Sequence, residues 1–247
     1  MLQINKHNDI SEIALDNPPA NAMDAAFMAA IRAALAEVQS AGAKAIVISG
    51  RPGMYSGGVD VPGLLQADRE TVLNFWVEFL TLMREVAAAE VPVIAAITGH
   101  APAGGCVLAL HCDYRIAGAG KFKFGLNEVQ VGLPVPSTVL AAMEFVAGPR
   151  TAQKLSMQGA LLSPEAALAC GLVDEVVDPD EVIPRSVEFA QQLAQLPPVA
   201  MNVTRRQAKA AFVAGLTIHD DARATTDFWF SDETRAAMQA LVERLKK

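Results

Sequence analysis

GHAPAGGCVLALHCDYR, residues 99–115, places a proline and three glycines ahead of a short apolar run, with no acidic side chain between His100 and Asp113. A strand-like PVIAAI (92–97) precedes it and YRIA (114–117) closes it, so the stretch reads as strand, turn, helix and strand. The first N–H groups of a helix have no internal acceptor and lie at the positive end of its dipole, where they favour an anion or a developing oxyanion. With the helix starting near Gly104, that N–H is the candidate donor. Taken alone, the glycines also fit tight helix–strand packing. The glycine spacing and the missing Lys-Ser/Thr exclude a dinucleotide fingerprint and a P-loop.

Working outward, strand-like runs recur at IAL (13–15), AIVIS (45–49) and KFKF (121–124), with helical patterns from an Asp24 cap to Val38 and from Glu70 to Ala88. This alternation predicts an α/β core. From Ser163, a cap followed by Pro164, helices are expected at 163–169, 180–195, 199–213 and 219–246, with a corner at Leu196-Pro197-Pro198. No fixed-period repeat occurs. The last stretch, DFWFSDETRAAMQALVERLKK, opens with three aromatics and fits either a helix on its own core or a subunit interface.

The composition excludes several classes of function. A net charge of −7, with Lys and Arg scattered except in the terminal RLKK, leaves no footprint for nucleic acid. Cys106, Cys112 and Cys170 have neither metal-ligand nor redox spacing and the four histidines are dispersed, so neither a disulfide nor a metal site is expected. No signal peptide is read at the N-terminus, and no apolar run approaches the ~20 residues of a membrane span. A cytoplasmic protein is the expectation.

Two further stretches can carry chemistry. In ISGRPGMYSGGVD (48–60) the Gly57-Gly58 pair frees the backbone to aim the Val59 N–H at a ligand, although such a turn also merely reverses a chain. In KFKFGLNEVQVGLPVP (121–136), Glu128 sits among Leu126, Val129, Val131 and Leu133. Desolvation there would raise its pKa toward that of a useful general base; the other reading is a solvated loop glutamate.

Taken in order, PPANAMD (18–24), YSGGVD (55–60), GHAPAGGCVLALHCDYRIA (99–117), FGLNEVQVG (124–132) and LLSPEAALACGLVDEVV (161–177) resemble the crotonase (enoyl-CoA hydratase/isomerase) superfamily over nearly the whole chain. The resemblance implies an α/β spiral of ββα units over residues 1–185, carrying an acyl-CoA site, and a helical trimerisation region over 186–247. It places the two oxyanion donors on the N–H groups of Val59 and Gly104. Ala20, Ala22 and the turn Ser56, Gly57, Gly58 and Asp60 would line the thioester arm, with Asn127 beside the base; Asp60 takes no proton.

Hydratases of this family carry two glutamates, and here the first position is Val107 and the second Glu128. Hydration is served by a carboxylate pair, whereas moving a double bond needs one base. The chain resembles the mitochondrial-type Δ3,Δ2-enoyl-CoA isomerase branch in APAGGCVLALHCDYRI, GLNEVQVG, the terminal LVERLK, and LPVPS where Pro-Gly-x-Gly is common after Gly132. The expected reaction converts 3-enoyl-CoA to 2-trans-enoyl-CoA in fatty acid β-oxidation, with Glu128 as sole acid/base and no cofactor beyond the coenzyme A of the substrate. A homotrimer or dimer of trimers is implied. The alternatives are a hydratase, a crotonase-fold enzyme acting on a non-fatty acyl-CoA, and a non-catalytic acyl-CoA-binding homologue. Leu64, Leu65, Phe75, Trp76, Phe79 and Leu80 fit either the core or an acyl wall, and Glu78 is an outside candidate for a second carboxylate.

Overall fold

The computed structural model describes residues 1–245. The strands are β1 (Leu2–His7), β2 (Ile10–Leu15), β3 (Ala45–Ser49), β4 (Gly53–Met54), β5 (Val93–Ile97), β6 (Gly99–Pro102), β7 (Tyr114–Gly118), β8 (Phe124–Gly125) and β9 (Glu175–Val177). The helices are α1 (Ala25–Ser40), α2 (Val61–Gln66), α3 (Arg69–Ala87), α4 (Gly104–His111), α5 (Ser137–Ala147), α6 (Pro149–Gln158), α7 (Pro164–Ala169), α8 (Val182–Ala194), α9 (Pro198–Ala214), α10 (Ile218–Trp229) and α11 (Asp232–Leu245).

Two sheets organise the chain: a six-stranded one, β1-β2-β3-β5-β7-β9, and a small one, β4-β6-β8. Among the strands of the described residues only β1 and β2 pair antiparallel. Each of β3, β5 and β7 lies in the large sheet and is followed by a short strand in the small one, then by helix: α2 and α3, α4, and α5. This is the expected spiral of ββα units.

The side chains of AIVIS and VIAAI explain why the large sheet is covered on both faces. Ile46, Ile48, Val93 and Ala95 point into the main core, while Ala45, Val47, Ile94 and Ala96 pack with Val182, Val187 and Ala190 of α8. Strands buried on both sides must be apolar at consecutive positions, as these are. The 185/186 division of the sequence falls within α8.

Asp24 caps α1 by accepting from the Phe27 N–H at 2.7 Å, and Ser163 caps α7 with Pro164 in its first turn. Three expectations are corrected. KFKF reduces to Phe124–Gly125, the two residues that pair in register with Ala101 and Pro102 of β6, and Lys121 and Lys123 are exposed. The helix expected over 219–246 breaks into α10 and α11, because Ser231 Oγ accepts from the Thr234 N–H at 3.3 Å and starts a new helix. The helix-rich part, expected from Ser163, begins earlier, with α5 and α6. Lys246, within the terminal LVERLK, lies outside the described residues.

Trp229 is fully buried and meets Trp76 edge to face, with ring centroids 6.0 Å apart, so α10 packs on α3 of its own chain. Phe228 beside it is exposed. Among the described residues no helix is long and apolar enough to cross a membrane.

Candidate active site

The first wall of the site is the Tyr55–Asp60 turn, held by the PPANAMD segment. The Gly57 N–H donates to Ala20 O at 2.7 Å, Ser56 Oγ donates to Asn21 O at 2.8 Å, and the Met23 N–H donates to Gly58 O at 2.7 Å. Asn21 is the clamp between the two segments. It is fully buried, and its Nδ2 donates to Leu15 O at 3.1 Å and Tyr55 O at 3.0 Å while Oδ1 accepts from the Asn17 N–H at 2.7 Å. Sequence reasoning named its neighbours Ala20 and Ala22 and passed over it. The signal was a lone amide side chain between two alanines.

The second wall is the start of α4, where Ala103 takes φ +47° and ψ −121°, a conformation costing a side-chain-bearing residue about 1–3 kcal/mol. That kink turns the Gly104 N–H out of the β6 ladder. Among the described residues neither the Gly104 nor the Val59 N–H has a hydrogen-bond acceptor. The two turns touch: Gly58 has φ +93°, and a methyl added to it would lie 3.0 Å from Gly104 N, while one on Gly104 would lie 3.4 Å from Val59 N. Gly105 serves the other reading of the glycines, since a methyl there would stand 2.3 Å from Ser56 O. The Gly104-Gly105 pair thus provides both a free donor and close packing.

The small sheet ties the segment leading to Glu128 to the start of α4. Pro102 pairs with Gly125, and the Ala103 N–H donates to Gly125 O at 2.9 Å. Three residues on, Glu128 opens a 3-10 turn, Glu128–Val131, closed by Gly132. The residue is half-buried, yet its Oε2 is sealed from solvent without a hydrogen-bond partner. Desolvation pushes its pKa up to about 7, opposed only by its own backbone N–H. Asn127 Oδ1 is likewise buried and unpartnered. Of the apolar residues flanking it in sequence, Leu126, Val131 and Leu133 are buried, but Val129 is 40% exposed.

Other candidates fall elsewhere. Val107 is buried on α4 at 2% exposure, with no carboxylate at that position. Asp60 caps α2, accepting from the Gly63 N–H at 3.3 Å. The Ala22 carbonyl accepts from Asn17 Nδ2 at 3.0 Å. Glu78 lines a cleft of about 390 Å³ between α2 and α3, and its carboxylate is paired with Arg32. Leu64 and Phe75 face that cleft, whereas Trp76, Phe79 and Leu80 belong to the core and Leu65 is half-buried. His111 is buried, with Nδ1 2.8 Å from Val107 O and a pKa pushed down to about 4 by desolvation, which leaves it neutral. Among the described residues no group of three His, Cys, Asp or Glu side chains could hold a metal ion.

Two nested sheets wound as ββα units, with free N–H groups where two turns meet, define a crotonase fold. The chain belongs to the enoyl-CoA hydratase/isomerase family, whose model matches residues 5–247. It is 29% identical over 236 residues to human mitochondrial enoyl-CoA delta isomerase 1, covering 94% of this chain and 78% of that one. It is 32% identical over 207 residues to a probable enoyl-CoA hydratase of Mycobacterium avium, covering 82% of this chain and 79% of the relative. The crystal structure of human mitochondrial delta3-delta2-enoyl-CoA isomerase superposes with a TM-score of 0.94 at 26% identity, covering 99% of this chain and 98% of that one.

Proposed function

We propose that this chain is a Δ3,Δ2-enoyl-CoA isomerase that converts 3-enoyl-CoA to 2-trans-enoyl-CoA in fatty acid β-oxidation. The observation that carries this reading is a single sealed carboxyl: Glu128 Oε2 is buried and unpartnered, and the position where a second glutamate would stand is the buried Val107. The human relative's name and its likeness in fold support it.

In this reading the thioester oxygen sits between the Val59 and Gly104 N–H groups, and the thioester arm runs past Ala20, Ala22 and Ser56–Asp60, with Asn127 beside the base. Ionised Glu128 takes a proton from C2. The electron pair delocalises over the dienolate, whose oxygen is held by the two donors, preorganised because neither has another acceptor. Neutral Glu128 then returns the proton at C4, leaving the double bond between C2 and C3. No group beyond the substrate's own coenzyme A is needed. A pKa near 7 suits both halves, since the same carboxyl must accept and then release a proton.

Hydration is disfavoured because water attack at C3 and protonation at C2 call for two placed groups, and Glu128 is one. The test is turnover of a 3-enoyl-CoA panel, followed by absorbance of the conjugated thioester, beside hydration of a 2-enoyl-CoA. Isomerisation lost in Glu128→Gln with acyl-CoA binding retained supports the reading. Faster hydration than isomerisation by the native chain moves it to the hydratases, and binding without turnover makes it a non-catalytic homologue. We further place it in the cytoplasm as a homotrimer or dimer of trimers assembled through the 186–247 region; the exposed Val199 and Val203, one turn apart on α9, offer apolar contact there. Sedimentation gives the oligomeric state.

A further inference from the structure

The last helix reaches back onto the loop that carries the base. Thr234, in the first turn of α11, is fully buried, and its Oγ1–H donates to Gly132 O at 2.6 Å. Ser231 Oγ donates in turn to Thr234 Oγ1 at 3.0 Å, which orients the threonine hydroxyl toward the glycine carbonyl. Gly132 ends the turn that Glu128 begins: it sits at φ +70°, and the next residue, Leu133, donates its N–H to Glu128 O at 3.1 Å. A methyl on Gly132 would lie 3.3 Å from Thr234 Cα, so the backbone of α11 rests directly against the turn. On the opposite side Gln130 Nε2 donates to Gly159 O at 2.7 Å.

One residue further along, Arg235 Nη1 donates to Leu65 O at 3.2 Å. Leu65 lies near the end of α2, the helix that Asp60 caps directly after Val59. Through adjacent side chains α11 therefore grips both the turn of the base and the helix that follows the turn of a donor.

We infer that Thr234 is a positioning residue for Glu128: its hydroxyl, ordered by Ser231, fixes the Gly132 carbonyl and with it the turn that aims the carboxyl at the two backbone donors. The inference rests on Glu128 as the base of the proposed isomerisation. Without the hydroxyl, the Gly132 carbonyl loses its donor and the turn is anchored on the Gly159 side alone, which frees the carboxyl to shift toward water. Small displacements of a reacting group carry large rate penalties, up to about a hundredfold for ~1 Å. Among the described residues, Cys106 of α4 is the titratable side chain facing the carboxyl, its thiol kept neutral by burial, and Glu233 of α11 lies against Gly132.

The test compares Thr234→Val, Thr234→Ser and Glu128→Gln with the native chain. Turnover of 3-enoyl-CoA is measured across pH, and the Glu128 carboxyl is titrated by carbon NMR on glutamate-labelled protein, its resonance assigned by its loss in Glu128→Gln. In Thr234→Val, kcat should fall about tenfold or more with KM within about twofold. The carboxyl should titrate below the native midpoint, and Thr234→Ser should restore both. If Thr234→Val does not fold, Ser231→Ala, which keeps the threonine hydroxyl but removes both its donor and the cap on the Thr234 N–H, should change the same two readouts in the same direction. Native kcat and a native titration midpoint in a folded Thr234→Val overturn the inference, as does failure of Thr234→Ser to restore them. The titration needs no turnover, so a native chain that does not isomerise, yet whose Glu128 midpoint moves in Thr234→Val, keeps the clamp and removes the isomerase reading.

Discussion

The Ala103 N–H donates to Gly125 O at 2.9 Å, and this bond joins the two halves of the site. Ala103 immediately precedes the donor Gly104, and Gly125 lies three residues before Glu128. The proposed base and the proposed donor are thereby tied to one another through the short strands β6 and β8, with only a few residues free to flex on either side. A site built this way depends on backbone approach at the meeting of the two glycine turns, which a single methyl group can test.

Gly58→Ala should reduce kcat by about 10²–10³, the usual effect of disabling one oxyanion donor. The added Cβ would lie 3.0 Å from Gly104 N, and φ +93° is strained for alanine, so the turn must shift and carry the Val59 N–H with it. Gly42→Ala is the control: it also has a left-handed φ, +81°, but nothing lies within 4 Å. That variant should lose about 1 kcal/mol of stability and no activity. Equal kcat values for the two variants would separate catalysis from the approach of the turns.

The raised pKa of Glu128 makes two observables move together. Since the ionised form starts the proposed reaction, kcat/KM should climb tenfold per pH unit on the acid side and level off above about pH 7. Stability runs the other way. The folded chain holds this proton more tightly than the unfolded chain, whose carboxyl has the ordinary 4.5, so the contribution is fully present below 4.5 and is lost as pH rises through about 7. Glu128→Gln abolishes activity but carries no charge to bury, and above pH 7 it should melt several degrees higher than the native chain, by something on the order of 3 kcal/mol. Thermal melts at pH 5 and pH 8 check the sign: the gap must widen at the higher pH.

Much of the site was legible because its parts are local. The proposed donors are backbone groups, and the glycines that expose them must sit beside them in sequence. The strands AIVIS and VIAAI announce burial on two faces, and Asp24 and Ser163 announce caps. What escaped was set by distance in the fold. Asn21 matters through Tyr55, 34 residues on, and Thr234 through Gly132, 102 residues back. Val129 faces outward because a 3-10 turn, not a strand, sets its direction. β1 has a faint signature, Leu2 and Ile4 alternating with polar residues before an Asn8-Asp9 turn, and the break at Ser231 is hidden within a continuous helical pattern.

Val107→Glu asks whether one side chain divides the two chemistries of the family. A carboxyl at this position projects from the same helix as the Gly104 donor, one turn on, and would supply the second placed group that hydration lacks. Hydration of a 2-enoyl-CoA should rise by about tenfold or more over the native chain. Burying a carboxyl at 2% exposure costs stability, so the melting temperature should drop by several degrees. A folded variant whose hydration stays at the native level would show that the valine is not what withholds that reaction.

Asn21 offers the test of how the first wall is held. Its side chain makes three hydrogen bonds, to Asn17, Leu15 and Tyr55, and its φ of +49° lies in the left-handed region that asparagine tolerates better than most residues. Asn21→Gly keeps the backbone conformation and deletes the bonds; Asn21→Ala deletes the bonds and adds strain. Two buried carbonyls, Leu15 O and Tyr55 O, lose a donor in both variants, at about 1–3 kcal/mol for each group left unsatisfied. The glycine variant should therefore lose roughly 2–6 kcal/mol, and the alanine variant about 1 kcal/mol more. Because the Tyr55 carbonyl begins the turn that ends at Val59, both variants should also lower kcat more than they raise KM, with the glycine variant the better enzyme. Equal melting temperatures for the two would assign the role of this residue to its hydrogen bonds alone, and native kcat in either would detach Asn21 from the placement of the Val59 donor.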